Sequence, residues 1–71
     1  MAKLEKLSNI VFELRIKSNL TQEDLARTIG VTRQTIIAIE KENYTPSVTL
    51  ALKLGKFFNK KVEEIFKIIQ A

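Results

Sequence analysis

Apolar residues recur along this chain at intervals of three and four, and almost nowhere in strict alternation. Leu4, Leu7, Val11 and Leu14 form one such stripe. The spacing predicts a first helix with a single apolar face, ending near Asn19, a residue that tolerates the left-handed cap. Thr21 supplies a capping oxygen, and Glu23 and Asp24 place acids in the first turn of a second helix, whose inward face is Leu25, Ala26 and Ile29. Gly30 closes that helix. After only Gly30, Val31 and Thr32, a third helix begins under a Thr32 cap, with Ile36 and Ile39 facing inward and Arg33, Gln34 and Ile37 pointing elsewhere.

Pro46 and Ser47 mark the next start, since proline resists continuing a helix and serine caps one. The stripe of this fourth helix is Val48, Ala51, Leu54, Gly55 and Phe58, and it ends at Asn59. A last amphipathic segment places Val62, Ile65, Phe66 and Ile69 on one face. Glu63 and Glu64 near its start and Lys67 later match the helix dipole. Gly30 and Gly55 are the only glycines and Pro46 the only proline, and hairpin signals such as Asn-Gly are missing. The expected fold class is all-α: five helices in a single domain over residues 1–71, with helices two and three forming a helix-turn-helix over about 21–40.

Composition narrows the chemistry. With neither cysteine nor histidine, the chain offers no zinc-finger ligands, no thiol redox couple and no imidazole base. The carboxylates are scattered over helix starts and no nucleophile has a base partner, so no enzyme, metal site or cofactor is expected. The formal net charge of +4 favours a polyanionic partner. No apolar run approaches membrane-spanning length and the first residues lack the apolar centre of a secretory signal, which leads to a cytoplasmic expectation.

Two helices joined by a short glycine-containing turn let the first brace across a phosphate backbone while the second enters the major groove. At the start of the second stand Arg33 and Gln34. A guanidinium fork pairs two-pronged with guanine and a carboxamide with adenine, each pair giving roughly 1–3 kcal/mol of discrimination. Alternatively, both are solvated polar residues on an exposed face. Ile37 either meets a thymine methyl or is an isolated exposed apolar side chain of the ordinary kind.

TQEDLARTIGVTRQTIIAIE, with its caps, turn glycine, helix-crossing alanine and reading positions in register, resembles the Cro and phage-repressor (Xre-type) helix-turn-helix family. The resemblance extends over about 9–66. It implies a lambda-repressor-like DNA-binding domain and a transcriptional regulator, a repressor that reads a near-palindromic operator as a dimer. By the same resemblance, Arg33, Gln34 and Ile37 face bases, and Gln22 and Thr32 hold phosphates. Thr35 and Lys41 add backbone contacts, and the turn through Tyr44, Thr45 and Ser47 presents donors to neighbouring phosphates. Arg15 in helix one and Glu40 at the end of helix three are implied to pair. Ile37 departs from the small polar residue the family often carries, and Lys60 and Lys61 replace its usual apolar residue and hydroxyl cap before helix five.

Some apolar surface exceeds what so small a core needs. Phe57, Ile65, Phe66 and Ile69 are the expected homodimer interface. Phe12 and Ile16 give helix one a second apolar face, which is either simply exposed or covered by the C-terminal segment, a twofold partner or another protein. A protein-interaction module, such as an antitoxin or co-regulator on the same fold, is therefore the rival reading. Lys53, Lys56, Lys60 and Lys61 form a basic stretch that either tracks flanking phosphate or serves as a solubilising face, and the solubilising reading is preferred.

Overall fold

A computed structural model describes residues 5–70. The chain runs β1 (Glu5–Asn9), α1 (Val11–Lys17), α2 (Gln22–Ile29), α3 (Arg33–Glu40), α4 (Val48–Phe58), α5 (Val62–Ile65) and β2 (Phe66–Gln70). Five helices surround one core, with α2 and α3 as the helix-turn-helix. The two terminal segments form an antiparallel ribbon, in which Glu5 lies opposite Gln70, Leu7 opposite Ile68 and Asn9 opposite Phe66. Val11, Leu25, Ile36, Ile39 and Leu54 are fully enclosed, and Leu14, Ala26, Ile29, Leu50, Ile65 and Phe66 complete the core.

The ribbon corrects both ends of the sequence reading. Helix one begins at Val11, and Leu7 lies in a strand; Leu4 lies outside the described residues. Asn9 is the physical reason. Its Oδ1 accepts from the Val11 N–H at 3.0 Å, and its Nδ2 donates to the Ile39 carbonyl at 2.8 Å. An asparagine that bonds its own backbone two residues on offers the chain a turn in place of a helix. At the other end, α5 stops at Ile65, and Phe66, Ile68 and Ile69 continue as a strand, the conformation aromatic and β-branched residues fit best.

In α4 the buried stripe starts at Leu50. Val48, at the first helical position, is 77% exposed and does not join the core. Asn59 ends α4 in the left-handed region at φ 56°. Gly55 is buried where the chain turns toward α5: a Cβ there would lie 2.8 Å from the Lys60 carbonyl oxygen. Among the described residues, no helix is long and apolar enough to cross a membrane.

Candidate nucleic-acid interface

The helix-turn-helix is fixed locally before it is fixed by packing. Thr21 Oγ1 accepts from the Asp24 N–H at 3.0 Å, and the Asp24 carboxylate accepts from the Thr21 N–H at 3.2 Å, closing a reciprocal capping box. Those bonds, the backbone one first, hold the Asp24 carboxyl below its ordinary value. Gly30 takes φ +88°, and its N–H and that of Val31 both donate to the Ala26 carbonyl, at 2.8 and 2.9 Å. This left-handed cap lets the chain reverse within three residues. Thr32 Oγ1 then accepts from the Thr35 N–H at 3.4 Å, and the two threonine hydroxyls lie 3.1 Å apart.

Burial sets the rotation of α3. With Ile36 and Ile39 wholly inside, the helical period turns Arg33 and Gln34 to solvent, while Ile37 is half-buried. The far end of α3 is tied inward. Arg15 Nε and Nη2 donate to the two Glu40 carboxylate oxygens at 2.6 and 3.1 Å, and Arg15 Nη1 donates to the Leu20 carbonyl at 2.8 Å. Both side chains are under a tenth exposed. Gln22 Nε2 adds a third bond to Glu40, at 3.1 Å. One carboxylate thus joins α1, α2 and α3. Desolvation offsets most of the attraction of such a pair, so its chief effect is to fix helix geometry, and losing one partner strands the other.

The sequence-designated residues gather in three adjoining shallow clefts. Arg33 and Gln34 line one with Thr32, Arg27 and Glu23. Arg33 also lines a second with Thr21 and Gln22. Thr35, Tyr44 and Ser47 line a third with Thr49 and Lys53. Lys41 caps the end of α3, and Lys41 and Thr45 are exposed. Arg27 and Lys53, which the sequence does not single out as site residues, also border these clefts, Lys53 lying one helical turn beyond Thr49.

The expected interface residues divide. Ile65 and Phe66 are 1% and 8% exposed and belong to the core, because α5 and the start of β2 fold back onto it; they are not surface. Phe57 and Ile69 are exposed. Phe12 and Ile16 are also exposed, and the Arg15 guanidinium lies 5.4 Å from the Phe12 ring centroid.

The capped pair α2 and α3, with its left-handed glycine turn and a polar, partly cationic start to α3, has the form of a helix-turn-helix. The helix-turn-helix family model matches residues 11–65, and the chain belongs to that family, the HTH-type (Xre/Cro-like) transcriptional regulators. An uncharacterized HTH-type transcriptional regulator of Methanocaldococcus jannaschii is 64% identical over 52 residues, covering 73% of this chain and 79% of the relative. A second such regulator, YgzD of Bacillus subtilis, is 52% identical over 60 residues, covering 84% and 91%. The crystal structure of the transcriptional regulator VanUg superposes with a TM-score of 0.77 at 18% identity, over 100% of this chain and 93% of that one. At that identity the likeness speaks for the fold alone. The family consists of DNA-binding regulators, not enzymes.

Proposed function

We propose that this protein is a sequence-specific reader of double-stranded DNA in which Arg33, Gln34 and Ile37 face bases. Gln22, Thr32, Thr35, Lys41, Tyr44, Thr45 and Ser47 hold the flanking phosphates. The observation that carries the reading is the placement of Arg33 and Gln34: both are exposed, side by side, on the first turn of a helix whose opposite face is locked into the core. Two protomers read a near-palindrome with half-sites about 34 Å apart. The protein acts in the cytoplasm as a repressor by occupancy, since a domain seated on an operator excludes other proteins from the same DNA without any further contact.

In vitro selection of bound duplexes tests this in one step. The expected product is a paired half-site with fixed spacing; recovery of random duplexes would refute sequence-specific reading. If each protomer neutralises about four phosphates, log K against log salt falls with a slope of about −7 for the dimer. A specific observation favours a second reading alongside the first: Phe12 and Ile16 are each 51% exposed on α1, an apolar pair open to another protein, as in an antitoxin or co-regulator. A shift assay that finds no preference for selected over random duplex would leave that reading in its place.

A further inference from the structure

Helices α1 to α4 are each followed closely by a residue in the left-handed region: Asn19, Gly30, Glu42 and Asn59 in turn. Glycine and asparagine tolerate that conformation, and a longer L side chain does not, because its Cβ crowds the following carbonyl. Glu42 is the exception. Around it the Asn43 N–H donates to the Ala38 carbonyl at 3.3 Å and the Glu42 N–H to the Ile39 carbonyl at 2.9 Å, the paired bonds of a Schellman cap on α3. A glutamate at the pivot of such a cap is a local conflict, and its side chain shows what offsets it. The carboxylate crosses to β1, where Oε2 accepts from the Asn9 N–H at 3.0 Å and Oε1 lies 3.2 Å from Lys6 Nζ. The Asn9 side chain bonds the Ile39 carbonyl of the same cap at 2.8 Å, so cap and strand are joined twice.

Beyond the cap lies the segment 44–47, which brings Tyr44, Thr45 and Ser47 to the proposed phosphate contacts. Among the described residues, neither the Tyr44 nor the Thr45 N–H makes a hydrogen bond within the protein, and Pro46 has none to give. Ser47 is the next anchored residue, its Oγ accepting from the Leu50 N–H at 3.1 Å and its carbonyl from the Ala51 N–H at 3.0 Å. By hydrogen bonds the segment is therefore fastened only at its ends, to α4 on one side and to the Glu42 pivot on the other.

We infer that Glu42 is a positioning residue for DNA recognition: its carboxylate, held by Asn9 and Lys6, sets where the segment 44–47 stands relative to Arg33 and Gln34. This rests on the DNA-reading function above and adds to it a residue that touches no DNA. Charge alone acts the other way. An acid between Lys41 and Tyr44 repels phosphates, and its removal raises the net charge by one from +4, which by itself tightens binding. Two effects of opposite sign thus hang on one side chain. Position prevails, because the carboxylate is turned to β1 and already paired with Lys6, while the segment depends on it for an anchor.

Glu42→Gly keeps the left-handed pivot, relieves its strain and deletes the carboxylate. On a duplex obtained by in vitro selection, fluorescence anisotropy should show affinity about tenfold below that of the natural chain, with a salt slope shallower by about one per protomer as phosphate contacts of the segment loosen. Thermal melting should stay close to natural, because relief at the pivot offsets the bonds lost to β1. Glu42→Gln retains an oxygen that accepts from the Asn9 N–H and should restore affinity to the natural value or above it. A glycine variant that binds as tightly as the natural chain, or more tightly, overturns the proposal and leaves charge as the only effect. Equal weakening in the glycine and glutamine variants also overturns it, since the bond to Asn9 is then not the means. Should the glycine variant fail to fold, Glu42→Asn takes its place, tolerating the left-handed backbone with a side chain one carbon shorter. Backbone nitrogen-15 relaxation of the free chain tests the positioning without DNA: the order of Tyr44 and Thr45 should fall in the glycine variant and return in the glutamine one, and unchanged order in the glycine variant overturns it. A natural chain with no preference for selected over random duplex would defeat the DNA-reading function itself, and the relaxation comparison would still decide whether Glu42 positions the segment.

Discussion

The helix-turn-helix and the terminal ribbon are held by different means, and the difference separates what this chain fixes locally from what it fixes only at a distance. In α2 and α3, each boundary carries its own device: a reciprocal box at Thr21 and Asp24, a left-handed glycine at Gly30, a hydroxyl cap at Thr32. Tertiary packing adds Ile36, Ile39 and the Arg15–Glu40 pair to elements already delimited. The ribbon has no such independence. Residues 5–9 become a strand because 66–70 lie beside them, and Asn9 and Glu42 fasten the pair to the end of α3 across more than thirty positions of sequence.

The largest effect is expected where the two regimes meet a buried charge. Arg15→Met leaves the Glu40 carboxylate enclosed with only the Gln22 amide donating to it, and should cost about 3–5 kcal/mol in urea denaturation. A loss below about 1 kcal/mol would mean that the pair relaxes into water and does not join three helices. Gly55→Ala tests the turn that delivers β2. Alanine gains about 1 kcal/mol of helix propensity, but its Cβ meets the Lys60 carbonyl oxygen, a backbone atom held in place because the Lys60 N–H donates to the Gly55 carbonyl at 2.9 Å. Overpacking of this kind costs about 1–3 kcal/mol, so the melting temperature should fall. Thr21→Ala removes one half of the capping box and should cost about 1 kcal/mol; Thr32→Ala, with a longer cap bond, should cost less.

The smallest effect compares one carboxylate from each region. The Thr21 bonds hold the Asp24 carboxyl below its ordinary 3.8, and the Asn9 N–H followed by Lys6 holds that of Glu42 below 4.5. A carboxyl whose folded value is depressed contributes stability that is present above its unfolded value and lost as pH falls through the folded one. Acid should therefore loosen both the α2 cap and the ribbon latch below about pH 4.5, with no change between pH 6 and 8. Carbon-detected NMR titration of the two side chains reads each separately. Ordinary titration of Glu42 alongside a depressed Asp24 would show the ribbon latch to be absent in solution.

That contrast also explains what was legible in the sequence. Capping residues, a turn glycine and apolar spacing are written within a few residues of where they act, so α2, α3 and the exposed placement of Arg33 and Gln34 could be read directly. The ends could not. Leu4, Leu7, Val11 and Leu14 fit a helix, as do Val62, Ile65, Phe66 and Ile69, because short apolar runs satisfy more than one period. What decides them is a partner strand some sixty residues away. The same limit put Ile65 and Phe66 on the surface in the sequence reading, when the returning chain encloses them. The place of Lys53 beside Thr35 and Tyr44 is likewise not legible locally, because it depends on how α4 lies against α3.

Central to the account is that α3 reads bases through its first turn, and Arg33→Ala measured against a selected operator and its single-base variants tests this most directly. The account predicts a loss of about 1–3 kcal/mol on the selected operator, together with relaxed discrimination at one base pair in each half-site. An equal loss on every sequence, with discrimination intact, would contradict it and make Arg33 a phosphate ligand.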